Sequence, residues 1–334
     1  MCYKIEQQKQ KAKILEEKMN EKNIPDFMRK FFTLKVGNSN TSNMYLTVIY
    51  DFLKWLVGEP IINCKDVSEI EISDLSEVMA EDITAYLRMK ERNGMSPTTL
   101  DVRKNVLRSF WKYLSRIKGS EISEKFFEDV TYKGISTSNN LIKKLPSEQQ
   151  LKEMEERIMW KKDERVRKRN ITIFELLKGT GIRESELAGL DLSDIHLDGE
   201  VSYVDLKGMP YIMVLPKGYQ REEEKRTVYL TKSAVDALKE WLEYRKTLKN
   251  ITDPNAVFIN KNGTRTTENN IKNIFKNYGN GITPHMMRHY YASVMASKGN
   301  IVFAQQQLGH NSMSTTINNY ANGSIGMKEV LENM

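Results

Sequence analysis

His285, Arg288 and His289 fall within five positions of the string "ITPHMMRHYYAS", in a chain that has four histidines among 334 residues and none before His196. An imidazole and a guanidinium three residues apart share one face of a helix, and both bind phosphate oxygens. Pro284 suits the first position of that helix and sets His285 and Arg288 in its opening turn. Three other residues have matching chemistry. Arg183 follows "TGI" at a helix start, where backbone N–H groups and a guanidinium can face an anion. A surface ion pair with Glu184 or Glu186 explains it as well. His310 follows "LG" and precedes the polar run "NSMSTT". Tyr320, ten residues on in "NNYANG", carries a phenol oxygen able to attack phosphorus. An ordinary amphipathic tyrosine is the alternative. Each residue taken alone has such a plain explanation.

These side chains need elements to hold them. The chain length suggests two domains of unequal size. Hydrophobic residues at 40% suffice for real cores. No run of about 18 apolar residues is present, so no membrane span is expected. The first 22 residues are charged throughout and lack the apolar core of a signal peptide. Cys2 and Cys64 make neither a metal pattern nor a disulfide framework, which points to a reducing, cytoplasmic setting. A net charge of +7 and a pI near 9.0 fit a polyanionic partner without requiring one.

Residues 1–38 read as a charged N-terminal helix or arm, broken near Pro25. The first 22 have too few apolar positions to fold into a core alone, and are either a solvated, partly frayed helix or an arm that docks on a partner or lies against DNA. Residues 39–118 have helical periodicity. Leu46, Ile49, Tyr50, Leu53 and Leu56 make one apolar face. Ser96 and Pro97 open a helix with Leu100, Leu107, Phe110, Trp111 and Leu114 on its buried side. On the same helix Lys104, Arg108, Lys112 and Arg116, spaced by four, form a basic stripe. It is either a solvated face or a track for DNA phosphates. Residues 119–144 lose the period and read as a linker.

Ser147 and Gln150 form a capping-box pattern that starts a second domain. "ITIFELLKGTGIRESELAGLD" reads as helix, glycine turn and short helix. "EVSYVDLKG", "YIMVLPKG" and "KRTVYL" read as a small antiparallel sheet. "TKSAVDALKEWLEYRKTL" is an amphipathic helix, and the chain beyond Thr266 is mainly helical. No phosphate-binding glycine loop and no acidic metal cage is evident, so no cofactor and no metal are expected.

Together, "GTGIRESELAGLDLSDI", "TPHMMRHYYAS" and "LGHNSMSTTINNYA" resemble the tyrosine recombinase (phage integrase) family across 145–325. More loosely, residues 39–118 resemble its helical core-binding domain. The resemblance implies a mainly α protein with a small antiparallel β-sheet. It would form a two-domain C-shaped clamp on DNA, with a catalytic domain over 145–320 and a tail helix over 321–334 that docks on a neighbouring protomer. It also implies roles. Tyr320 attacks the scissile phosphate, Arg183 and Arg288 hold its non-bridging oxygens, His285 assists proton transfer and His310 donates a hydrogen bond. A lysine protonates the leaving 5′-oxygen. Lys217 in "LPKG" fits the family's hairpin position, with Lys225 and Lys207 as alternatives. His289 is expected to point elsewhere on its helix, and His196 to lie on the surface. Met286 and Met287 stand where the family often has an acidic residue and a leucine. The implied partners are double-stranded DNA and further copies of the chain, as a tetramer on paired sites. A type IB topoisomerase shares this chemistry, and a catalytically inactive DNA-binding regulator is a further alternative.

Overall fold

The computed structural model describes residues 3–35, 39–132, 145–199, 208–216, 222–298 and 301–309. The chain divides at residue 139 into two compact units. The first contains helices α1 (Tyr3–Glu21), α2 (Asp26–Lys35), α3 (Ser39–Gly58), α4 (Ile72–Ser76), α5 (Ala80–Arg92) and α6 (Pro97–Leu114).

The apolar stripe of α3 builds the centre of this unit. Leu46, Ile49, Leu53 and Leu56 are buried, and Phe52, outside the expected stripe, joins them. Each such side chain removed from water contributes about 1.5–3 kcal/mol. Phe52 meets Tyr86 and Trp111 edge-on, with ring centroids 4.9 and 5.5 Å apart, which ties α3 to α5 and α6. Ser96 caps α6 through the Thr99 amide and Pro97 comes next, as the sequence suggests. Asp51 on α3 accepts hydrogen bonds from Tyr86 Oη and Arg103 Nη1, both at 2.7 Å, and pairs with Lys90 at 2.8 Å. Burial raises its pKa, but bonds from Lys90, Tyr86 and Arg103 outweigh this and hold the carboxyl below its ordinary value.

Two expected boundaries are corrected. The segment expected to be a free arm places Leu15, Met19, Ile24, Phe27, Met28, Phe31 and Phe32 in the same core as α3 and α6. Its apolar residues are few, but helices of the same unit, α3 and α6, complete their burial. The segment 119–144 is expected to be a linker, yet Ile122, Val130 and Tyr132 in its first part also belong to that core, while 133–144 lie outside the described residues. Gly and Ser obscure three anchoring residues placed too far apart to show a period.

The second unit contains α7 (Glu148–Met159), α8 (Glu164–Thr180), α9 (Glu184–Ala188), α10 (Lys232–Lys246), α11 (Glu268–Tyr278), α12 (Pro284–Ser297) and α13 (Ile301–Leu308). A three-stranded antiparallel sheet of β1 (Ile195–His196), β2 (Tyr211–Val214) and β3 (Arg226–Tyr229) completes it, in the order β1-β2-β3. Ser147 and Gln150 make the expected capping box of α7. The pairing sets Ile212 opposite both Ile195 and Val228. Ile212, Val214 and Val228 face the core with Leu177, Leu187, Trp241 and Phe275. The other face carries an aromatic row. His196 stacks on Tyr211 at 4.4 Å, Tyr211 meets Tyr229 at 6.4 Å, and Tyr229 stacks on Phe303 of α13 at 6.5 Å. His196 is thus a strand residue in a stack, where the sequence suggests an ordinary surface position. The expected strand in "EVSYVDLKG" falls almost wholly outside the described residues.

Candidate active site

Two glycines set the site's framework. Gly181 ends α8 in the left-handed conformation, φ +63°, which a β-carbon disfavours. Such a carbon would also lie 2.8 Å from Leu308 and 2.8 Å from the Tyr291 ring. The chain then turns directly into Arg183, the N-cap of α9. Gly309, φ +61°, ends α13, and a β-carbon there would lie 2.7 Å from Arg226 Nε. The glycines of "TGIR" and "LGH" are therefore places of close approach between α8, α12, α13 and β3.

Arginines fill these approaches. Arg288, 4% exposed, donates from Nη1 to the Gly181 carbonyl at 2.9 Å and from Nη2 to the Leu308 carbonyl at 2.6 Å. Burial, and after it the nearby Arg183, lowers its pKa to about 10, so it stays a cation at neutral pH. Arg183 donates from Nη1 to Glu186 Oε1 at 3.0 Å, and its backbone N–H donates to Oε2 at 2.9 Å. The ion pair that would explain Arg183 plainly does exist. Its carboxylate is not a surface group, however: the Glu186 side chain is 0% exposed. Arg226 of β3 completes the cluster, donating from Nη2 to Glu186 Oε2 at 2.9 Å and from Nη1 to the Gln307 carbonyl.

Two guanidiniums thus hold one buried carboxylate, and that of Arg288 lies near enough to act on it electrostatically. Burial alone would raise the pKa of Glu186, but Arg226 first, then the Arg183 N–H and guanidinium, hold it below its ordinary value. The excess positive charge sits where Arg183 remains 30% exposed, and can be neutralised by an anion such as a phosphodiester.

Thr283 caps α12 and Pro284 opens it, so the expected first turn is present. His285 is exposed there, one turn before Arg288. His289 does not point away from it, contrary to the expectation from sequence. The rings meet edge-on with centroids 4.5 Å apart, because positions four apart are helix neighbours. Met287 is fully buried in the core, whereas Met286 is half-buried.

Among the candidate lysines, Lys225 pairs with Asp194 at 2.6 Å, and both side chains are buried. Lys217, Lys207, His310, Tyr320 and the tail from 321 lie outside the described residues. Sequence reasoning misses Arg226. The signal is in "KRTVYL": strand alternation puts Arg226 on the inward face with Val228, where a cation needs a counter-charge.

In the first unit the basic stripe is only partly open. Lys104 donates to the Tyr132 carbonyl at 2.7 Å, Arg116 pairs with Glu124 at 2.8 Å, and Arg108 lies over the Phe127 ring at 5.8 Å. Lys112 is exposed. The segment after α6 runs along the stripe and leaves a groove of about 810 Å³ lined by Arg108, Lys112, Lys125 and Phe126.

A model of the phage integrase family matches residues 147–325, more than half of the chain. The chain is 36% identical over 155 residues to the tyrosine recombinase XerC of Neisseria gonorrhoeae, covering 44% of this chain and 45% of that one. It therefore matches less than half the length of that relative. The tyrosine recombinase XerC of Actinobacillus pleuropneumoniae is 27% identical over 257 residues, covering 75% and 76%. Among solved structures, the Tn1549 transposon integrase in complex with transposon right end DNA gives a TM-score of 0.64 at 19% identity, covering 92% of this chain and 98% of that one. The XerH site-specific recombinase bound to a palindromic difH substrate gives 0.60 at 20%, covering 91% and 82%. At these identities the likeness to the solved structures is one of fold. The family match takes in both arginines of the two matching strings, the sheet that carries Arg226, and Glu186 between them; the chain belongs to the phage integrase family, the tyrosine recombinases.

Proposed function

We propose that the chain is a site-specific recombinase that cuts and rejoins double-stranded DNA without metal or nucleotide cofactor. The arginine cluster carries this reading: Arg183 and Arg226 against one buried carboxylate, Arg288 anchored on the Gly181 carbonyl, and an exposed His285 one turn before Arg288 make a site for a dianionic phosphorane. The Tyr320 phenol oxygen forms a bond to phosphorus and the bond from phosphorus to the 5′-oxygen breaks. A 3′-phosphotyrosyl link and a free 5′-hydroxyl result. His285 takes the phenolic proton, and Lys217 gives one to the leaving oxygen. Arg183 and Arg288 neutralise the non-bridging oxygens. Arg288 has spent two of its N–H groups on carbonyls, and a guanidinium has five. His310 adds a donor. The buried pairing of Lys225 with Asp194 favours Lys217 over Lys225 as the acid. Because the bond energy is kept in the phosphotyrosine, rejoining needs only attack by a 5′-hydroxyl. The site acts on cytoplasmic DNA, as a tetramer on two paired sites. Arg108 and Lys112 on α6 approach phosphates.

The test is covalent trapping. Nicked, fragmented genomic DNA of the source organism is incubated with the protein, and SDS-resistant complexes are captured and their ends sequenced. Wild type is expected to yield complexes at a recurring sequence and Tyr320→Phe none. Equal capture by both would mean another nucleophile. No capture by either, on DNA the protein binds, would replace this reading with a non-catalytic regulator.

A further inference from the structure

Resting on that reading, we propose that Arg226 is a positioning residue: through Glu186 it fixes Arg183, and through the Gln307 carbonyl it fixes the end of α13 that leads into His310.

The Glu186 carboxylate is buried and accepts three bonds at 2.9–3.0 Å, two from Arg183 and one from Arg226. The two guanidiniums approach different oxygens, so Arg226 holds the far edge of the carboxylate while Arg183 holds the near edge. Without Arg226, Oε2 keeps only the Arg183 backbone N–H, and the carboxylate can rotate about its Cγ–Cδ bond. Arg183 then loses the fixed acceptor that orients its Nη1.

The second contact reaches elsewhere. Arg226 Nη1 donates to Gln307 O, while the Gln307 side-chain oxygen accepts from the Tyr229 N–H at 3.2 Å. One residue of α13 is thereby gripped at both ends by β3. Leu308, next in the chain, is gripped by Arg288. Gly309 then packs on Arg226 with no room for a β-carbon. Strand β3 therefore sets the exit of α13 and the anchor of Arg183 with a single guanidinium. Its Nε is buried as well and has no hydrogen-bond partner among the described residues. Arg226, 15% exposed, is placed to act through these groups and not on the phosphate itself.

The experiment compares wild type, Arg226→Lys, Arg226→Gln and the double variant Arg226→Gln with Glu186→Gln. The double variant removes the buried Arg226–Glu186 pair as a unit, so no buried carboxylate is left uncompensated, while Arg183, 30% exposed, gives up its ion partner to solvent. The probe is a nicked duplex recovered by the trapping experiment, with covalent-complex rate and DNA affinity measured on the same fragment. Arg226→Gln and the double variant should bind within about twofold of wild type but cleave about 100-fold more slowly, the cost of a misplaced catalytic group. Arg226→Lys should recover part of that rate. A double variant with a wild-type melting temperature and wild-type cleavage overturns the proposal. So do single variants whose cleavage falls only in proportion to the folded fraction. Amide hydrogen exchange serves as a readout that needs no reaction: Arg226→Gln should lose protection over both 184–187 and 304–309, and unchanged protection at either segment overturns the clamp. Failure of the wild type itself to form a covalent complex would instead count against the recombinase reading.

Discussion

Arg288 and Gly181 stand 107 positions apart in the chain and are joined by a 2.9 Å hydrogen bond from the guanidinium to the carbonyl. The bond links the residue that ends α8 to the opening turns of α12. Arg183, two residues past Gly181, thereby acquires a fixed distance from Arg288. The spacing of the two arginines is a property of a backbone carbonyl, and not of either side chain alone.

Gly181→Ala should accordingly harm the protein more than a glycine substitution in an open turn. It adds left-handed strain and a clash with Leu308 and Tyr291 at 2.8 Å, expected to cost about 2–4 kcal/mol. Urea unfolding measures it. Gly281→Ala, at φ +91° with nothing near the added carbon, is the control and should lose about 1–2 kcal/mol.

Acid should weaken the second unit through Glu186. Its folded pKa lies below the ordinary value of 4.5, so its contribution is fully present above pH 4.5. It is lost as pH falls through the lower folded value, because the unfolded chain then binds the proton more readily. Urea midpoints taken from pH 6 down to pH 3 should fall more steeply for wild type than for Glu186→Gln. Parallel curves would mean that Arg183 and Arg226 do not hold the carboxylate.

Lys225 and Lys217 should separate cleanly. Lys225→Met leaves Asp194 buried without its ion partner and is expected to cost about 3–5 kcal/mol. Pairing it with Asp194→Leu should restore most of that loss. The double variant should still form the covalent complex, whereas Lys217→Met should fold normally and cleave slowly. Loss of cleavage in the double variant, with stability intact, would make Lys225 the acid.

Much of the helical fold is legible in the sequence because apolar spacing and caps act locally: Ser96, Ser147, Thr283 and Pro284 do what their types suggest. The burial of α1 is not legible, since Leu15 and Met19 gain their partners only from other helices. Arg183 and Arg288 can be found by their strings, Glu186 by its place three residues after Arg183, and the inward side of Arg226 by strand alternation, but no spacing encodes the contact between Glu186 and Arg226. The Arg226–Glu186 pair joins residues 40 positions apart. His285 and His289 are related by helix geometry alone, and their four-residue spacing is enough to place them together.

The stripe on α6 offers a graded test. Lys112→Gln removes an exposed charge and should weaken DNA binding evenly across sequences, lowering the salt slope by about 0.9. Lys104→Gln loses its bond to the Tyr132 carbonyl and should show mainly as reduced stability of the first unit. Filter binding from 50 to 300 mM salt, with thermal melts alongside, distinguishes the two.

The last carbonyls of α13 are taken by Arg226 and Arg288, which approach from different elements. That fixes the helix in phase as well as in place. Each residue advances an α-helix by about 100°, so a single insertion or deletion within α13 would swing both carbonyls out of reach. Length changes in this segment are tolerable only in near-whole turns, and homologues that differ here should differ by three or four residues or by none.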